Sequence, residues 1–521
     1  MSSVKPVDYQ KYKEYIPEFR EKSEDFFTGK MNIKEYKGFS GKYGSYAQRG
    51  GKNSMLRLRM NAGRLTPEKL AMVTAMADKH QVNPIHMTTC QTVQFHNLNL
   101  DAVCDIMDHA LDAGVVWYGG GGDYPRNVMA SPLSGTEEEY FDVMPYADVT
   151  ANFLLDFIDA EKMPRKLKVG FSNNEKNTVH ATFRDLGFVA KENGNFDVYC
   201  CGGLGKDPKF GVEVAENVKP DQILYYVEAM IRMFRKLGNY ENRAKARTRF
   251  IQDSHSAEEI RREFDACLQA VRLEKDLTLT DEDLVFAEVK KEGKGEELEE
   301  SFLVRKQKQP GLYTVAYHPR GGITARETLD ALNQAISNMQ DVEIRLSPDE
   351  GSYIINLTAD EAREILQIID AETAHNAFET SMACIGASIC QVGLRDSQST
   401  LQKALDAVKA EEGIADNALP QIHISGCPSS CGTHQTAPIG FRGGLKVIDK
   451  KPVAAYALYL GGNDLQGHET MGQEAGMIAE TEVPAFLAAL GKAVSQSGLS
   501  YEEWVKENPD GTKEIAEAFF L

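Results

Sequence analysis

The chain has 521 residues, 42% of them hydrophobic and 26% charged, with a formal net charge of −19. That length calls for two to four domains rather than one core, and the acidic balance argues against nucleic acid as a partner. No apolar run approaches the ~20 residues of a membrane span, and the polar start MSSVKPVDYQKYKEYIPEF lacks a signal-peptide core, so a cytoplasmic protein with no membrane partner is expected.

Residues 1–50 read as an N-terminal extension. From Met55, MLRLRMNAGRLTPEKLAMVTAMA reads as a strand of alternating apolar positions, a Gly-containing turn, an N-cap at Thr66 and an amphipathic helix. MTTCQTVQFHNLNLDAVCDIMDHAL adds strand, turn, strand and helix, so residues 51–118 form a β-α-β-β-α half-module of ferredoxin-like type. Residues 119–280 read as a larger α/β module. It contains GGGG at Gly119 to Gly122, PRNV around Arg126, MPRKLKVGFSNN from Met163 and CCGGLG from Cys200. Residues 281–309 include KKEGKGEELEES, a charged surface connection.

The order then repeats. LYTVAYHPRGGITARETLDALNQAI from Leu312 echoes the segment at Met55, with Thr324 in place of Thr66. IRLSPDEGSYIINLTADEAREILQII echoes the next, giving a second half-module over 310–375. In 376–521, LPQIHISGCPSS and LYLGGN echo MPRKLKVGFSNN and CCGGLG. The expected fold is mixed α+β and α/β: a pseudo-two-fold repeat of two ferredoxin-like modules, each paired with a larger α/β module.

Nine cysteines are an odd number for a disulfide framework in a long chain of this kind. Cys104, Cys200, Cys201, Cys267 and Cys90 are scattered. The other four form two close pairs, Cys384-x5-Cys390 and Cys427-x3-Cys431, in loops rich in Gly, Ser and Pro. Four buried free thiols are one reading. Structural zinc is another, although it favours tighter knuckles than a five-residue gap. A [4Fe–4S] cluster takes four thiolates from separated loops, whose small residues let backbone N–H groups reach the sulfurs, and it suits the spacing better.

CIGASIC followed by GCPSSCGTHQ, together with GSYAQRGGKNSMLRLRM, TTCQTVQFH, PRNVMASP and PRKLK in this order, resembles the siroheme-containing sulfite and nitrite reductases across nearly the whole chain. The resemblance implies that Cys384, Cys390, Cys427 and Cys431 hold the cluster, with Cys431 also axial to the siroheme iron. It implies siroheme contacts at Arg57, Arg59, Arg64, Gln91, Gln94, His96, Arg165, His434 and Gln435. Siroheme carries eight carboxylates, and Arg suits bidentate recognition of them.

Lys166 and Lys168 stand at i and i+2 of an apparent strand, so they share a face. Their repulsion is removed by an anion between them. The resemblance implies that these two and Arg126 hold the oxyanion and supply protons. Cys90 stands where the family usually has Arg. It fills space while another cation takes over, or widens the pocket, or is a low-pKa thiolate that ligates or reacts.

Lysine at both Lys-x-Lys positions is similar to the family's sulfite reductases, whereas plant-type nitrite reductases tend to carry Asn at the second. Sulfite is therefore the expected substrate and nitrite the alternative. No G-x-G-x-x-G follows a strand, so electrons are expected from a ferredoxin or a separate flavoprotein. Arg243, Lys245, Arg247 and Arg249 read as solvated or cofactor-facing rather than as a docking face for that donor. A non-catalytic Fe–S electron-transfer or redox-sensing protein is the rival from another class, and a zinc-stabilised scaffold a third.

Overall fold

The computed structural model describes residues 4–160 and 162–521; the first three residues of the extension and Glu161 lie outside the described residues. Among the described residues, twenty strands form four five-stranded sheets. In chain order the first ten are β1 (Ser45–Ala47), β2 (Ser54–Arg59), β3 (Arg64–Leu65), β4 (Ile85–Met87), β5 (Thr92–Leu98), β6 (Met129–Ala130), β7 (Val169–Ser172), β8 (Leu186–Ala190), β9 (Phe196–Cys200) and β10 (Val212–Val218). The second ten are β11 (Val304–Lys306), β12 (Tyr313–Tyr317), β13 (Ile323–Thr324), β14 (Glu343–Leu346), β15 (Ser352–Leu357), β16 (Met382–Ala383), β17 (Ile422–Ser425), β18 (Ile439–Ile448), β19 (Lys451–Leu460) and β20 (Gln473–Ala479).

The expected pairing of halves is present, with one exchange. The first antiparallel sheet runs β1-β2-β5-β4-β13 and its twin β11-β12-β15-β14-β3. Each half therefore gives its third strand to the other half's sheet: Ile323 pairs with His86, and Ile344 with Leu65. The turn before each exchanged strand needs glycine. Gly63 (φ 75°) and Gly322 (φ 70°) are left-handed, and a Cβ there would lie 2.8 Å from the Leu346 carbonyl and 2.6 Å from that of Met87.

Alternation puts Leu56 and Leu58 wholly inside and turns Arg57 the other way. The helix Leu100–Asp112 buries Val103, Ile106, Met107 and Ala110 along one stripe and is capped by Asn99. Both half-modules contribute to one continuous core. The segments read as extension and connection do more than link: they supply the edge strands β1 and β11. Lys291 of the connection is buried against Glu361 at 2.5 Å.

The other two sheets run β6-β7-β8-β9-β10 and β16-β17-β18-β19-β20. In each, the first three strands are parallel and the rest antiparallel. β7 and β8 are buried along their whole length, as parallel strands covered on both faces are. Each of these sheets has its own core. No helix among the described residues is long and apolar enough to cross a membrane.

Candidate active site

One cavity of about 1370 Å³, counting its open mouth, gathers residues from both halves. The two cysteine loops follow the carboxyl ends of the adjacent parallel strands β16 and β17, the usual place for a ligand in such a sheet. All four paired cysteines line it. The loops are set up for sulfur: Cys384 Sγ accepts from Gly426 N at 3.2 Å and lies 3.2 Å from Ser397 Oγ. Arg49 of the extension clamps the second turn, donating to the carbonyls of Cys390 at 3.1 Å and Gly393 at 2.7 Å. Cys431 is exposed and lines the cavity. Burial pushes the Cys384 thiol up to about 12 and also raises that of Cys431, so both thiolates call for a metal. Among the described residues no three His, Cys, Asp or Glu side chains converge as they do on a single ion. Four thiols lining one cavity suit a four-iron cluster.

The same cavity is lined by cations. Leu167 is fully buried while Lys166 and Lys168 on either side of it face the cavity. Arg57 and Arg126 join them. Arg126 is fixed by the carbonyls of Gly120 and Gly122, both at 2.8 Å. The four-glycine run is required because a Cβ at Gly121 would lie 2.5 Å from the Gly41 carbonyl. Gln94, with its amide oxygen turned to Arg57, accepts from that guanidinium at 2.9 and 3.1 Å. Burial and the neighbouring charges of Arg247, Lys168 and Arg126 push Lys166 well below an ordinary lysine. Burial lowers Arg126 to about 10. A bound polyanion relieves this crowding of like charges, which is the test siroheme must pass here, and the cavity passes it.

Sequence reasoning misses one cation and two further groups that line the cavity, and reads a fourth, Arg247, only as solvated or cofactor-facing. Arg184 faces the cavity with its Nε anchored on the Val179 carbonyl at 2.7 Å. Arg247 is held by both oxygens of the buried Asp185, at 2.9 and 3.0 Å, and Asp185 also accepts from Lys168 N at 2.8 Å. The others are His86 and Glu350. A charged pattern on one strand shows in a sequence; Arg184, Arg247 and Glu350 come from loops, and His86 from a three-residue strand too short to show a period.

Cys90 lines the cavity, and Lys168 Nζ donates to its Sγ at 3.1 Å. Burial raises a thiol, but Lys168, Arg184 and Arg57 outweigh it and bring Cys90 down to about 5.

The remaining expected siroheme contacts are placed elsewhere, each with a protein partner or in the core. Arg59 donates to the carbonyls of Pro125 and Arg126, both at 3.1 Å, and so carries the loop on which Arg126 sits. Arg64 pairs with Glu343 at 3.0 Å and Asp148 at 3.1 Å, stapling β3 to β14. Gln91 braces Ala130 and Leu346. Arg165 is paired with Asp123 at 2.5 Å. Gln435 donates to the Gly205 carbonyl at 2.7 Å, tying the halves together. His96 and His434 are buried and held down to about 3, His434 edge-on to Tyr459. Arg243 pairs with Asp123 and Lys245 with Asp253, around a 3₁₀ turn rather than on a helix; Arg249 donates to the Asp207 carbonyl at 2.8 Å.

The chain matches the nitrite and sulphite reductase 4Fe-4S domain over residues 121–270. It matches the nitrite/sulfite reductase ferredoxin-like half domain twice, over 46–113 and 305–372. Together these segments cover more than half of the chain. It is 25% identical to an assimilatory ferredoxin-dependent nitrite reductase of Haloferax mediterranei, over 91% of this chain and 86% of that protein. It is 26% identical to a chloroplastic ferredoxin–nitrite reductase of Arabidopsis thaliana (78% and 70% covered). It is also 25% identical to a sulfite reductase [NADPH] hemoprotein beta-component of Geobacillus kaustophilus (78% and 75%). The structure of the Mycobacterium tuberculosis NirA protein shares the fold, with a TM-score of 0.77 at 21% identity, covering 96% of this chain and 97% of that one.

The chain belongs to the nitrite and sulfite reductase family, oxidoreductases that work with siroheme and a [4Fe–4S] cluster. The cluster-domain match at 121–270 falls on the first α/β module, whose Cys200, Cys201 and Cys267 lie in its core. The cysteine quartet stands in the second copy of the same sheet.

Proposed function

We propose that this chain reduces nitrite to ammonium by six electrons, in a cavity whose residues would hold siroheme and the cluster. The observation that carries this reading is the meeting, in one cavity, of four cysteine thiols and six lysine and arginine side chains. Cys384, Cys390, Cys427 and Cys431, which line the cavity, would hold the cluster. Arg57, Gln94, Arg184 and Arg247 take siroheme carboxylates. Bound siroheme supplies the iron at which the oxyanion receives electrons. Lys166 and Arg126 hold the anion, and Lys166, whose ammonium has no hydrogen-bond partner among the described residues, delivers protons to the oxygens that leave as water.

The sulfite expectation rested on Lys168. That lysine is engaged by Cys90, which removes one free positive charge from the cavity and favours a singly charged anion. The names of the Haloferax and Arabidopsis relatives point the same way and suggest a ferredoxin-type donor. Sulfite is the second reading, favoured by lysine at both positions. The test is the visible spectrum of protein purified anaerobically from siroheme-making cells, followed by nitrite and sulfite turnover with reduced donor. A siroheme spectrum that shifts with nitrite, and a higher kcat/KM for nitrite, is expected. A higher value for sulfite reverses the choice of substrate, and a cluster spectrum without siroheme leaves the electron-transfer protein.

A further inference from the structure

Two acids line the cavity among its described residues, Asp185 and Glu350. Asp185 is neutralised by Arg247. Glu350 has no cation on it. It is 1% exposed; its Oε2 accepts from Ala383 N at 3.1 Å, and its Oε1 lies 3.7 Å from His86 Nε2. Neither ring nitrogen of His86 makes a hydrogen bond to a described residue.

The pseudo-two-fold shows what is unusual here. The hairpins before β5 and β15 close alike: Thr88 N donates to Thr92 O and Gln91 N to Thr88 O, as Ser347 N donates to Gly351 O and Glu350 N to Ser347 O. Glu350 is thus the twin of Gln91. Both brace the strand beneath them, Gln91 Oε1 accepting from Ala130 N and Glu350 Oε2 from Ala383 N. An amide is enough for that bracing. A carboxyl adds a proton that can leave.

The neighbouring residue points the other way. Asp349 lines a second cavity with His318, whose Nε2 donates to the Asp349 carbonyl at 2.9 Å. That cavity reaches solvent, with the Asp349 side chain 31% and Phe302 47% exposed. One hairpin therefore contributes to both cavities, Asp349 to the open one and Glu350 to that of the candidate site.

We propose that Glu350 and His86 form a proton relay carrying protons from the second cavity to the bound oxyanion. The proposal rests on the reductase reading above. Nitrite takes six electrons and eight protons to give ammonium and two waters; sulfite takes six electrons and seven protons to give hydrogen sulfide anion and three waters. The electrons come from the donor protein, and the protons from water. The relay step moves a proton only: the Glu350 O–H breaks, His86 Nε2 accepts the proton and passes it on, and a proton from the His318–Asp349 side restores the carboxyl. The groups facing Glu350 are His86, His318, Asp349, Cys90 and the Ala383 amide. Burial holds the carboxyl well above the usual carboxylate range, with Asp349 and Cys90 adding to it and the Ala383 amide and His318 opposing. Burial and Arg57 bring His86 down to about 3. Both shifts favour the proton on Glu350 over His86.

The test is Glu350→Gln in the full chain, which copies the bracing amide of Gln91. Siroheme content, cluster content and the nitrite-induced spectral shift are expected to hold, while kcat falls on the order of 100-fold with KM little changed. Infrared spectra give a readout independent of turnover. A protonated-acid carbonyl band is expected at pH 7 in the unmodified chain, with or without siroheme, and lost in Glu350→Gln. If the variant fails to fold, carboxyl-¹³C glutamate in the unmodified chain must shift that band. An unchanged kcat, or no protonated glutamate band at pH 7, overturns the relay and leaves Glu350 a brace. An unmodified chain that carries no siroheme overturns the reductase reading, and the relay with it.

Discussion

Lys168 donates to Cys90 Sγ at 3.1 Å, so the cavity that must hold an anion contains an anion of its own. Cys90 titrates at about 5, against roughly 8.5 for an ordinary thiol, because Lys168, Arg184 and Arg57 outweigh its burial. Iodoacetamide should therefore alkylate it at a rate that is flat from pH 9 to 6 and falls only near pH 5, with protection by nitrite. A rate that climbs up to pH 8.5 would rule out the thiolate. Cys90→Ala frees Lys168 and should tighten nitrite binding about tenfold.

Glu343 joins Arg64 and Arg345 between the two exchanged sheets, and those charges, against the cost of burial, bring its carboxyl down to about 2. The folded value lies below the unfolded one. Its stabilisation is therefore complete above about pH 4.5 and fades as pH falls toward 2, a loss on the order of 3 kcal/mol. Urea unfolding between pH 7 and 3 measures this. In Glu343→Gln that pH-dependent part should be missing, and stability at pH 7 should be lower by several kcal/mol because two arginines are left facing each other.

Cysteine substitutions should divide sharply. Cys384→Ser, Cys390→Ser, Cys427→Ser or Cys431→Ser should abolish or halve bound iron and sulfide, as measured by chemical assay of the purified protein. Cys200→Ser and Cys267→Ser, in the core of the first α/β module, should leave iron unchanged and alter only the melting temperature. Iron lost from the second group instead would move the cluster to the other module.

Gly322→Ala should destabilise the fold by about 1–3 kcal/mol, because its φ of 70° is left-handed and the new Cβ would meet the Met87 carbonyl at 2.6 Å. Gly413→Ala is the control: φ there is 83°, but nothing lies within 4 Å. Thermal unfolding should show the smaller loss at Gly413, and equal losses would mean that strand exchange adds nothing at this turn.

The repeat, the cysteine pairs and the Lys-Leu-Lys alternation were legible because each is a local pattern. What was not legible is who neutralises whom. Arg59 and Arg64 sit in the same motif as Arg57, yet Arg64 finds Glu343, 279 residues away, and Arg59 finds three backbone carbonyls. Charge is written in a sequence, but its partner is set by tertiary packing. The exchanged strands were hidden for a different reason: with two residues each, β3 and β13 are too short to show a period. Glu350 was within reach, since TTCQT and SPDEG are echoed turns, and comparing Gln91 with Glu350 exposes a carboxyl where its twin has an amide.

Exchange of β3 and β13 also bears on how the chain is made. On the ribosome the first ferredoxin-like sheet cannot acquire its last strand until Thr324 has left the exit tunnel, by which time more than 200 residues have followed β5. Through that interval the β4 edge stays open, in reach of another nascent chain's β13. Cutting the gene at the connection should accordingly give two fragments that remain incomplete apart and regain both sheets only when made together.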